Sequence, residues 1–155
     1  RHAVNGSDGW TIETVVEQHA SPGAIAIDRA GAVHIAAFDT RADQLMHIVG
    51  AGGAWTSTTV DLLSPCDYDC SNVGLALDLS GGVHLSYCET TFKGTGSGCT
   101  LKYATNSGGA WAVTMVDEEF DVGKSSSIAV DPDGFVHIGY DDRKNGGLKY
   151  ATNGP

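Results

Sequence analysis

The feature that most constrains this chain is a segment that occurs three times without gaps. It reads AIAIDRAGAVHIAAFD from Ala24, GLALDLSGGVHLSYCE from Gly74 and SIAVDPDGFVHIGYDD from Ser127. Each copy is an apolar strand, then Asp-x-x-Gly, then a strand opening Val-His-Ile/Leu. Asp and Gly at those offsets specify a tight turn in which Gly takes the left-handed conformation. A second element follows each copy: LMHIVGAGGAW at 45–55, LKYATNSGGAW at 101–111 and LKYATNGP at 148–155. The opening RHAVNGSDGW matches it without the leading Leu. Each Trp begins one more strand, WTIETVV, WTSTTVD or WAVTMVD. Trp10, Trp55 and Trp111 are therefore 45 and 56 residues apart.

Repeats of about 40–50 residues with four short strands mark the blades of a β-propeller. We name the strands of a unit A (IAID-like), B (VHI-like), C (LKYAT-like) and D (Trp-initiated). The expected fold is all-β: four-stranded antiparallel blades, with units at 24–61, 73–116 and 127–153 and a partial unit at 1–16. The whole of 1–155 reads as a single propeller segment of about three blades with incomplete terminal ones. Helical periodicity is absent. Thirteen strands are fewer than a closed ring of four or more full blades needs. The expectation is thus a piece of a longer array, or copies that complete one another. The first ten residues have no apolar core of a signal peptide, so the start reads as a mature or excised terminus.

The Gly-rich turn before a Trp, within the A–B–C–D order, resembles the Asp-box (bacterial neuraminidase) repeat of sialidase-type propellers, whose pattern is Ser/Thr-x-Asp-x-Gly-x-Thr-Trp. ATNSGGAW matches best, with Asn106 at the Asp position and Gly108 and Trp111 in place; IVGAGGAW and AVNGSDGW are more degenerate. The resemblance implies the fold rather than an activity. A sialidase-like site would need an arginine cluster and a Tyr–Glu pair. The chain has only Arg1, Arg29, Arg41 and Arg143, and the family's Arg-Ile-Pro motif is absent.

Acids outnumber bases 19 to 9, giving a formal charge of −10. That disfavours nucleic acid, anionic membrane and acidic glycan as partners. No stretch approaches the ~20 apolar residues of a membrane span. Cys66 and Cys70 bracket Asp-Tyr-Asp, and Cys88 and Cys99 flank a Gly/Thr-rich stretch. Neither pair has His at zinc-ligand spacing, so two local disulfides, 66–70 and 88–99, are expected, together with secretion to an oxidising compartment or the cell surface.

Residues that repeat in every unit read as scaffold. His34, His84 and His137 share a register on strand B, too far apart for one metal, and each is expected to bond nearby backbone. His2, His47, Tyr103 and Tyr150 share a register on strand C and read as packing. The Trp residues read as staples of the outer strand, and Asp28, Asp78 and Asp131 as turn formers. No cofactor or metal is expected. Calcium at Asp131-Pro-Asp-Gly is the alternative, though the later carboxylates of an EF-hand are missing.

Alternating strand direction puts the short turns on one face and the long loops, 62–72, 89–99 and 117–125, on the other. Function resides on loops carried by a rigid scaffold. The candidate ligand site is therefore Asp67, Tyr68, Asp69, Phe92, Lys93, Glu118, Glu119, Phe120 and Asp121, with Arg41 and Arg143 in equivalent B–C loops. No catalytic residue is nominated. The expected function is an extracellular, non-enzymatic binding or structural module recognising glycan or a protein partner. The alternatives are blades of a secreted glycoside hydrolase or lyase with catalytic residues partly elsewhere, and a self-assembling surface or fibre protein.

Overall fold

A computed structural model describes all residues except Asp8, Gln18, 66–71 and Thr95, and the side chain of Pro22. Among the described residues there are thirteen strands and no helix. They form four antiparallel sheets, each a meander of strands consecutive in the chain. The first pairs β1 (His2–Gly6) with β2 (Gly9–Glu13). The second is β3 (Ala20–Ile27), β4 (Val33–Asp39), β5 (Gln44–Ala51) and β6 (Ala54–Leu62). The third is β7 (Val73–Leu77), β8 (Val83–Lys93), β9 (Gly96–Thr105) and β10 (Ala112–Asp117). The fourth is β11 (Val122–Val130), β12 (Val136–Asp142) and β13 (Gly147–Thr152).

The A–B turn is built identically three times. Gly31, Gly81 and Gly134 have φ of 86°, 87° and 90°, a region an L side chain rarely adopts. Asp28 accepts the N–H groups of Ala30 and Ala32 on Oδ1. Asp78 does the same for Ser80 and Gly82, and Asp131 for Asp133 and Phe135. The turn thus satisfies its own donors and fixes the register of strands A and B.

Apolar side chains gather where one sheet meets the next. Met46, Ile35, Ala37 and Ile48 pack with Val15 and Val16 at the first junction. Phe38, Leu45 and Val60 meet Val83, Leu85 and Tyr87 at the second. Leu101 and Tyr103 meet Val136, Ile138 and Tyr140 at the third. A ring of the leading sheet also meets a Trp of the following one: His2 lies 5.3 Å from Trp55 and His47 lies 5.5 Å from Trp111, both edge-on. Trp55 and Trp111 therefore join neighbouring sheets.

Two expected loops are strand. Residues 89–93 and 96–99 belong to the distal half of a long β8–β9 hairpin in register from His84↔Thr105 to Lys93↔Gly96. Their Gly and Thr content reads as loop, but the ladder continues, and the Cys88–Cys99 disulfide ties the two strands, with Cα atoms 5.4 Å apart. Residues 122–125 begin β11, so the acidic loop shrinks to 118–121; an irregularity between Val122 and Ser126 lets the strand start early. Likewise β3 begins at Ala20 rather than Ala24, through an irregularity at Pro22/Ala24.

Candidate functional site

Beside each A–B turn the strand-B His completes a short polar chain. His84 Nε2 lies 3.1 Å from Asp78 Oδ2, and its Nδ1 lies 2.6 Å from the Tyr103 hydroxyl. His137 repeats this with Asp131 at 3.3 Å and Tyr150 at 2.6 Å. With Asp ionised, Nε2–H donates to the carboxylate and the Tyr hydroxyl donates to Nδ1. These His residues thus bond side chains, not the backbone groups expected from sequence, because the turn Asp has a second oxygen free for them. Around His84, Ser107 also donates to Asp78 at 3.0 Å. Burial raises the Asp78 carboxyl, but the bonds from His84, Gly82, Ser80 and Ser107 outweigh it and bring it down to about 2.

One copy differs. His47 occupies the Tyr position, 2.9 Å from His34 Nδ1, while His34 Nε2 lies 3.5 Å from Asp28. Burial, followed by repulsion from His34, lowers His47 to about 4. His47 is therefore neutral at physiological pH.

At the opposite, loop-bearing end lies a set that sequence reading missed. Lys102 Nζ bonds Asp61 Oδ2 at 2.9 Å and Glu89 Oε2 at 3.0 Å, and the Tyr87 hydroxyl donates to Asp61 Oδ2 at 2.7 Å. Asp61 lies near the end of β6, an edge strand of the second sheet, whereas Tyr87, Glu89 and Lys102 belong to the third. The next junction repeats it. Lys149 bonds Asp117 at 3.0 Å and Glu119 at 3.1 Å, and Tyr140 donates to Asp117 at 2.8 Å. Burial and the neighbouring Asp61 push the Tyr87 phenol well up; burial and Asp117 push Tyr140 to about 12. Burial lowers Lys102, but its two carboxylates outweigh that and raise it. These tyrosines stay protonated and the lysines charged. The set is a polar staple between sheets.

The same register at the first junction holds Val16, Ala37 and Met46, all within one apolar cluster. Asp, Tyr and Lys are thus present together or replaced together. The smaller Ala37 borders an open cavity of about 380 Å³, also lined by Val15, Val16, Ile35 and Ile48.

Of the nominated residues, Phe92 and Lys93 end the β8 arm of the disulfide-tied hairpin; both are exposed, Phe92 by 59%. Phe120 packs on the same hairpin at Gly98: a Cβ there would lie 2.8 Å from the ring. Asp121, at φ 66°, accepts the Arg143 N–H on its carbonyl at 3.1 Å, and its carboxylate lies 3.9 Å from the Arg143 guanidinium. Glu119 is drawn into the Lys149 staple, and Glu118 is exposed beside it. The structure so gathers the hairpin, the 118–121 loop and the 143–146 turn. Arg41 lies in its own exposed turn, its N–H held by Asp39 at 2.9 Å. Asp67, Tyr68, Asp69 and the Cys66–Cys70 pair lie outside the described residues. Asn106 accepts the Val83 N–H at 2.8 Å, tying strand C to the start of strand B; Asn153 does the same for Val136.

Among the described residues no helix is long and apolar enough to cross a membrane, and no group of three or more His, Cys, Asp or Glu is placed to hold a metal ion. No protein-family model matches the chain, and no curated protein does. Among solved structures it is similar to the intramolecular trans-sialidase from Ruminococcus gnavus, determined in complex with oseltamivir carboxylate. The TM-score is 0.48 and the identity 14%, over 94% of this chain and 35% of that one. The chain spans about a third of that protein's length.

Proposed function

We propose that the four sheets are successive blades of an extracellular β-propeller, and that the chain is a non-enzymatic binding module whose loop face takes a neutral glycan. The blade reading rests on sequential meanders of two, four, four and three strands with an apolar cluster at every junction. The observation that carries the binding reading is the β8–β9 hairpin. It projects past the Cys88–Cys99 tie and holds Phe92 out at its end.

An exposed aromatic ring on a covalently stiffened arm costs little entropy to dock and offers a flat apolar surface to a sugar ring. Lys93 beside it, with Glu118 and Asp121 on the adjoining loop, supplies donors and acceptors for hydroxyls. The charge of −10 favours a neutral sugar over an acidic one. The partly buried lysines and buried tyrosines at this end are engaged in joining sheets, which suits a scaffold better than proton transfer.

The test is a glycan array probed with the native chain and with Phe92→Ala. Binding to neutral sugars, weakened at least tenfold in the variant, supports the reading. Equal binding by both proteins removes Phe92 from the site. Sugar release from a polysaccharide would replace the binding reading with the hydrolase or lyase one.

A further inference from the structure

Asn is followed by Gly at Asn5-Gly6, Asn145-Gly146 and Asn153-Gly154. With no Cβ, Gly leaves its own backbone nitrogen unshielded. That nitrogen can reach the side-chain carbon of the preceding Asn and close a cyclic imide. Closure needs the Asn backbone turned out of the extended conformation of a strand. The structure separates the three pairs on these grounds. Asn5 and Gly6 lie in the β1–β2 ladder, opposite Trp10 and Gly9. Asn153 Oδ1 is held by the Val136 N–H at 2.7 Å. The Gly154 N–H donates to the Thr152 hydroxyl at 3.0 Å, and Gly154 sits so close to Phe135 that an added Cβ would lie 2.7 Å from its ring. Asn145 and Gly146 instead occupy the exposed turn between β12 and β13. The equivalent turn of the second sheet, which has a sheet packed on each side, is also exposed at 40–42, so the exposure belongs to the turn itself. The Asn145 N–H and Nδ2–H donate to Oδ1 and Oδ2 of Asp142 at 3.0 and 2.9 Å.

We infer that Asn145 is a modification site, at which the folded chain deamidates itself to Asp or isoaspartate. The Gly146 nitrogen, its proton lost to solvent, attacks Cγ of Asn145. The Cγ–Nδ2 bond breaks, and Nδ2 leaves as ammonia with a proton taken from water. A succinimide remains. Water then adds to either ring carbonyl and breaks its bond to the Gly146 nitrogen, leaving Asp or isoaspartate. The balance is one water consumed and one ammonia released. The product places a carboxylate where the amide donated to the buried Asp142. The two carboxylates repel, so the 143–146 turn loosens, and the loop-bearing end gains a negative charge beside Arg143.

The experiment is peptide mapping by mass spectrometry, with an enzymatic isoaspartate assay, as the native chain ages at mildly alkaline pH. The same chain unfolded in urea is followed beside it. Unfolded, the three pairs are expected to convert at comparable rates, each gaining about one dalton. Folded, the Asn145 peptide is expected to convert roughly tenfold or more faster than the Asn5 and Asn153 peptides, because opening a ladder costs free energy that an exposed turn does not require. Asn145→Gln is expected to abolish the conversion at that peptide, with the circular dichroism unchanged. Should that variant not fold, the map of the native chain decides alone. Asn145 left intact in the folded chain, or Asn5 or Asn153 converted ahead of it, overturns the proposal.

Discussion

The Tyr87 hydroxyl donates to Asp61 at 2.7 Å across the boundary between two sheets, and Lys102 reaches the same oxygen at 2.9 Å. Tyr87 is fully buried, so this is an ion pair backed by a neutral donor rather than a surface bridge. Where Asp is absent, at Val16, so are the Tyr and the Lys, at Ala37 and Met46. A partly buried carboxylate therefore goes with its partners and is replaced along with them.

Lys102→Met alone strands Asp61 and Glu89 without a cation and is expected to cost about 2 kcal/mol or more. The triple variant Asp61→Val, Tyr87→Ala, Lys102→Met copies the first junction and is expected to lose less than the three single changes combined. Denaturant unfolding of the singles and the triple checks this; strict additivity would show that the three do not act as a unit.

Much of the fold was legible because the same information is written three times. The Asp-x-x-Gly turn, the Val-His opening and the strand-C Leu are set by the backbone, and each recurs at fixed offsets. The staple was harder to read. Its members come from three strands of two units, and no local spacing joins them. The available signal was the pair of Val-Asp endings, WTSTTVD and WAVTMVD, against WTIETVV, together with Lys102 and Lys149 against Met46. The hairpin at 89–99 hid for another reason: Gly and Thr usually mark loops, and a disulfide that extends a ladder leaves no trace in periodicity.

His47 gives the chain a pH dependence in one unit. Its folded-state value of about 4 lies below the ordinary 6.5, so the unfolded chain binds the proton more readily. Stability from neutral His47 is full above about 6.5, falls as pH drops, and is exhausted below about 4. Each tenfold difference in proton affinity between the two states is worth about 1.4 kcal/mol, so the loss is on the order of 3 kcal/mol. His47→Tyr installs the ring found in the third and fourth sheets, Tyr103 and Tyr150, and is expected to flatten the stability profile between pH 6.5 and 4. Thermal melts across that range measure it; an unchanged slope contradicts the assignment.

Reducing or replacing the Cys88–Cys99 bridge frees a loop of sequence separation 11, a loss of about 2 to 3 kcal/mol by the chain-entropy relation. The distal hairpin is expected to lose amide protection in hydrogen exchange well before β4 and β5. Equal protection with and without the bridge would mean that the ladder holds unaided.

Gly98 gives Phe120 its seat. In Gly98→Val the added Cβ meets the Phe120 ring at 2.8 Å, so the ring and the 118–121 loop must move. The expected signature is weaker ligand binding with global stability changed by no more than about 1–3 kcal/mol. Binding at native strength would separate the acidic loop from the site.

Recognition on the loop face, rather than on the face of the Asp-x-x-Gly turns, is the central claim. The direct measurement is titration of a neutral sugar from the array against the native chain, the double variant Phe92→Ala, Lys93→Ala, and the turn-face double variant Arg29→Ala, Leu79→Ser. The predicted result is affinity lost at least tenfold in the hairpin variant and unchanged in the turn-face one. Loss in the turn-face variant with the hairpin variant unaffected would place the site at the other end of the sheets and contradict the claim.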